Sequence, residues 1–140
     1  MTEVNVTKTI QAPANKIWET ISSFRGIEKF SPIAKSVTEG EGAGAKRTCY
    51  MPDGAEIHEV LTEVDQDVMQ LQYIITEGPF PVQGYLSTVK VTEVDQNSCT
   101  VSWGSQYEVS DEAAPDMKEL FEGFYNVIID SLETLSKGSN

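Results

Sequence analysis

The chain has 140 residues, the size of one ordinary domain and enough to bury a core without disulfides or metals. Apolar residues make up 39% and charged residues 23%, a globular balance, and no apolar run is long enough to span a bilayer. Ten basic against 22 acidic side chains leave a net charge of −12, a field that repels phosphate backbones and anionic lipid, so nucleic acid and membrane are excluded as partners.

The start, Met1 to Asn5, carries neither the basic patch nor the apolar stretch of a secretory signal. The expected location is the cytoplasm, with Cys49 and Cys99 as two reduced thiols. Val4, Val6 and Thr7 to Ile10 predict a first strand. Pro13 suits the first turn of a helix, and Ile17, Trp18 and Ile21 form its apolar stripe. Phe24-Arg25-Gly26 breaks that helix, and Gly26 to Phe30 predict a further helical turn before Ser31-Pro32.

From there the pattern turns to period two. Strands are expected over residues 34–39, 46–51, 55–64, 68–76, 85–94 and 99–109. Pro52-Asp53-Gly54 is a tight turn, because proline presets one dihedral and glycine accepts a positive one. The glycine run 40–44 precedes a strand rather than a helix and is flanked by Glu39 and carries Glu41, so it connects a hairpin and does not cradle phosphate. Thr-Glu-Val-Asp-Gln occurs at 62–66 and again at 92–96 with unlike flanks, which reads as one hairpin chemistry used twice. A last helix is expected over 117–135, with Leu120, Phe121, Phe124, Tyr125, Ile128, Leu132 and Leu135 on one face and Gly138 just past its end.

The fold class is therefore α+β: a curved seven-stranded antiparallel sheet around a long C-terminal helix, with two short helices after the first strand. One domain is expected over 1–137, with 138–140 a short tail. Such a sheet, closing on a helix, can leave a space between the two.

Strand parity says what faces that space. Glu59 shares a face with Ile57 and Leu61; Tyr73 shares one with Met69, Leu71 and Ile75. Tyr85 and Ser87 share a third with Val89 and Val91, and Trp103, Ser105 and Tyr107 a fourth with Val101. Apolar walls with sparse polar groups suit a ligand cavity, and the alternative is a solid core whose hydroxyls bond one another. His58, the sole histidine, falls opposite Glu59 and so faces outward. No second ligand at metal spacing accompanies it, and no cofactor motif, catalytic triad or nucleophile elbow is present.

The sequence resembles the helix-grip proteins of the START/Bet v 1-like (SRPBCC) superfamily, in its polyketide cyclase/dehydrase-like group near the bacterial MxaD-like proteins. The likeness is carried by Ala12-Pro13-Ala14 with Ile17-Trp18, Phe24-Arg25-Gly26-Ile27, Gly42 to Arg47, Asp53-Gly54-Ala55, Ile57-Glu59-Leu61, Pro79 to Val82 with Tyr85-Leu86-Ser87, and Trp103. It implies a cavity between sheet and long helix that holds a small hydrophobic or amphipathic molecule. It also implies two alternatives, a cyclase or dehydratase with Glu59 or Tyr85 as acid or base, and an accessory protein to a dehydrogenase. The more distant plant abscisic acid receptors resemble the chain at Lys35-Ser36, Glu59-Val60-Leu61, Tyr85 and Ser87, but not at their gate and latch loops.

The expected ligand-binding residues are Lys35, Glu59, Tyr73, Ile75, Phe80, Tyr85, Ser87, Trp103, Phe121, Phe124 and Tyr125. Glu59 is expected unpaired, with acid character, or paired with Lys35 to orient a polar end, or turned to solvent at a bulge. Phe80, between Pro79 and Pro81, is expected to plug a lid or to form a rigid corner. No metal and no cofactor is expected, and a protein partner is not implied by the residues.

Overall fold

A computed structural model describes residues 1–138. Its order is strand β1 (Thr2–Ile10), helix α1 (Ala14–Ser22), a single 3-10 turn (Ile27–Lys29), then six strands and a long helix. The strands are β2 (Lys35–Glu39), β3 (Lys46–Tyr50), β4 (Glu56–Asp65), β5 (Gln70–Glu77), β6 (Val82–Asp95) and β7 (Ser98–Val109). Helix α2 spans Ala114–Gly138. The second short helix expected from sequence is thus one 3-10 turn, as Ser31-Pro32 leaves no room for more.

All neighbouring strands pair antiparallel in one sheet ordered β1-β7-β6-β5-β4-β3-β2. The chain's first strand closes beside its last, which leaves β1 and the short β2 as edges. The two Thr-Glu-Val-Asp-Gln segments do the same local job: Asp65 accepts the Asp67 N–H at 3.0 Å and Asp95 the Asn97 N–H at 2.8 Å, turning each hairpin. Gln66 does one thing more, accepting the Trp18 indole N–H at 2.6 Å and tying α1 to the β4–β5 turn.

Helix α2 begins at Ala114, three residues before the expected start at 117, because Pro115 is tolerated in a first turn. It also runs through Gly138, which is its last residue rather than its stop; the rest of the expected 138–140 tail lies outside the described residues. Ile128, Ile129 and Leu132 are buried under the sheet, at about 1.5–3 kcal/mol each. Leu120 is the departure from the expected stripe. It is 45% exposed, near the end of the helix that reaches the cavity mouth.

Candidate functional site

β3 and β4 meet across the Pro52-Asp53-Gly54 turn in a register that sets Arg47 opposite Glu59 and Cys49 opposite Ile57. Residues opposite each other share a face, so Arg47 enters the interior with Glu59. Both are buried, and Arg47 Nε donates to Glu59 Oε1 at 2.6 Å. The Cys49 thiol points at the same oxygen at 3.5 Å. The guanidinium lies over the Phe24 ring, 3.8 Å from its centroid, and 5.3 Å from that of Tyr73. Phe24 reaches this position by a left-handed backbone (φ 59°) just after α1, followed by Gly26 at φ 71°. Burial disfavours the charge on Arg47, but the Glu59 carboxylate leads the contributions that raise its pKa above the ordinary value. Burial, and next the Glu59 charge, push the Cys49 thiol far above the usual range.

A second polar chain joins sheet and helix. Tyr85 on β6 shares a hydrogen bond with Tyr125 on α2, and Tyr125 donates to Ser105 on β7 at 2.7 Å. Below it, Trp103 Nε1 donates to the Tyr73 hydroxyl at 3.2 Å, and Ser87 donates to the Gly104 carbonyl at 2.8 Å. Burial first, with neighbouring phenols and Glu59 adding to it, raises the pKa of Tyr73 and Tyr85 well above that of a free phenol. Burial likewise pushes Tyr125 up. The hydroxyl of Tyr107 is buried with no hydrogen-bond partner.

Between these chains and α2 lies a cavity of about 60 Å³. Ile57, Ile75, Phe121 and Phe124 line its apolar walls, and Glu59, Tyr73, Tyr85 and Tyr125 supply its polar lining. Phe80 meets Phe121 edge-on at 5.3 Å and forms part of its outer wall. Two larger hollows of about 400 Å³ each are more open grooves, one between α1 and the end of α2, the other around Val37 and His58. The enclosed, mainly apolar space is the better candidate site.

Eight of the residues expected from sequence line this cavity: Glu59, Tyr73, Ile75, Phe80, Tyr85, Phe121, Phe124 and Tyr125. Ser87 and Trp103 are buried beneath it and hold its floor instead. Lys35 is a correction. It pairs with Tyr50 across β2 and β3, on the face opposite Ser36 and Cys49, so it is exposed, with Nζ 5.6 Å from the Tyr50 ring. The partner of Glu59 is therefore Arg47, not Lys35. Parity held the signal: Arg47 is two residues from Cys49 and must share its face. Ile27, Ile33, Met51, Ile57 and Leu120 also line the cavity and were not among the expected site residues. His58 faces outward, 3.2 Å from Glu56, and no metal-binding cluster occurs among the described residues. Nor is any helix there long and apolar enough to cross a membrane.

The family model described as "Polyketide cyclase / dehydrase and lipid transport" matches residues 1–137. No curated protein matches. Among solved structures, the protein XoxI from Bacillus cereus is 26% identical with a TM-score of 0.87, covering 97% of this chain and 96% of that one. An uncharacterised protein from Bacillus thuringiensis is 29% identical with a TM-score of 0.82, covering 96% and 98%. Norcoclaurine synthase from Thalictrum flavum shares the fold at 19% identity and a TM-score of 0.80, covering 99% and 88%.

Proposed function

The chain belongs to the polyketide cyclase/dehydrase and lipid transport family, and we propose that it binds, and by release carries, a small apolar or amphipathic molecule between sheet and α2. The observation that carries this is the enclosed cavity, apolar except for Glu59 and the tyrosines. Apolar contact supplies the affinity, and Glu59, Tyr85 and Tyr125 orient the polar end. The family description also names cyclase and dehydrase chemistry. Against that reading, Tyr85 holds its proton tightly and is engaged by Tyr125, and Glu59 is tied to Arg47. Neither is arranged as a free general base.

Native mass spectrometry of freshly purified protein is the test, read beside the denatured mass. The expected result is an added mass that denaturation removes. A bare mass, together with no shift of cavity amide signals when toluene is titrated in, overturns the reading.

A further inference from the structure

Glu59 and Tyr85 both offer the cavity unused hydrogen-bond acceptors. Glu59 Oε1 takes the Arg47 Nε–H and the Cys49 thiol. Oε2 takes no bond from the described residues, and Glu59 lines the cavity. The Tyr125 proton goes to Ser105, so the bond between the two phenols must be donated by Tyr85. What Tyr85 has left is a lone pair. The third phenol, Tyr73, accepts the Trp103 N–H and lies beside Ser87 Oγ, whose own proton goes to Gly104. Arg47, which pairs with Oε1 and whose Nη2 is buried without a partner, lies over Phe24 and does not line the cavity, and Lys35 is outside.

Resting on the cavity-binding reading above, we propose that the site selects a small apolar molecule whose polar end is a hydrogen-bond donor, a phenol or an alcohol, and rejects a carboxylate of the same shape. A hydroxyl gives its proton to Glu59 Oε2 or to the Tyr85 oxygen. A carboxylate meets the Glu59 carboxylate and takes no proton from Tyr85 or Tyr125, which have given theirs to each other and to Ser105.

The test titrates the full chain with toluene, phenol, benzoate and benzonitrile, following amide signals of cavity residues by NMR. These four share one ring and differ in polar end: none, donor, anion, acceptor. Phenol is expected to bind about tenfold or more tighter than toluene, with benzoate and benzonitrile weaker than toluene. Equal binding of phenol and toluene overturns the donor reading and leaves the cavity reading standing. Tighter benzoate overturns it too, by showing a cation turned into the cavity. Binding of none of the four removes the cavity reading itself.

Tyr125→Phe gives a second readout. With no Tyr125 oxygen to accept it, the Tyr85 proton turns to the cavity, and benzonitrile is expected to overtake toluene. If that variant does not fold, Ser105→Ala does the same by freeing the Tyr125 proton to point at Tyr85. A benzonitrile preference unchanged in a folded variant overturns the assigned proton order.

Discussion

Arg47→Met removes one half of the interior ion pair and leaves Glu59 buried alone. Arg47 and Glu59 are 4% and 7% exposed and 2.6 Å apart, so water cannot take the place of the lost guanidinium. Breaking one side of such a pair costs about 3–5 kcal/mol. At roughly 2.1 cal/mol/K of unfolding entropy per residue, a chain of this size has about 0.3 kcal/mol/K, so Tm is expected to fall by about 10–17 °C. The rings of Phe24 and Tyr73 lose their cationic neighbour as well, which adds in the same direction. Arg47→Met/Glu59→Leu is the decisive companion. With both charges gone the desolvation cost goes too, and the double variant is expected to recover most or all of the loss. Thermal and urea unfolding of the three proteins read this directly. A single-variant drop below about 3 °C, or a double variant no better than the single, refutes the account of Glu59 as a carboxylate held in the interior by Arg47.

Four further outcomes are expected. Gly104→Ala puts a Cβ 2.6 Å from Asn5 Nδ2 and 2.8 Å from the Val4 carbonyl, so it should loosen the β1–β7 pairing by about 1–3 kcal/mol in urea unfolding. Tyr125→Phe leaves Tyr85 and Ser105 without their shared partner and should cost about 1–3 kcal/mol by the same measurement. Phe80→Ala removes a half-buried wall, so it should cost less than the about 3–5 kcal/mol of a fully buried phenylalanine and speed toluene exchange in NMR line shapes. The thiols make a pH prediction. Burial pushes Cys99 up to about 11 and Cys49 higher still, so both stay protonated in the fold after the unfolded chain has ionised near ~8.5. Stability is then complete below that value and is lost as pH rises toward 11, and a thiol reagent at pH 8 should label neither cysteine until denaturant is added.

The fold was legible because its two periods are clean. Alternation in β4, β5, β6 and β7 put Glu59, Tyr73, Tyr85 and Ser105 inside, and all four are buried. What failed, failed at one strand. The resemblance places Lys35 inward, but the face β2 presents decides it: its pairing with Tyr50 rather than Cys49 turns it out. Residue type gives no hint of Arg47's interior place, since arginine is mostly exposed. The turn at Pro52-Asp53-Gly54 already implied its place, since folding the chain about Asp53 sets residue 47 against residue 59. Leu120 and Ile129 show the limit of a helical stripe. The arc of α2 that the sheet covers depends on where the helix docks, which spacing alone does not give.

The two sides of the cavity are held differently, and this decides how a ligand larger than the space could enter. About 60 Å³ is the room of two waters at ~30 Å³ each, against the ~300–1,000 Å³ usual for a ligand site. A wall must move. On the sheet side each polar residue is bonded in place: Glu59 by Arg47, Tyr73 by Trp103, Tyr85 by Tyr125. On the outer side Phe80, Leu120 and Phe124 are held by contact alone, and Leu120 already faces water. Expansion therefore goes outward, through side chains that can turn at little cost, while the acceptors on the sheet stay fixed. Head-group choice then resides in the sheet, and the length of molecule accepted resides in these three side chains.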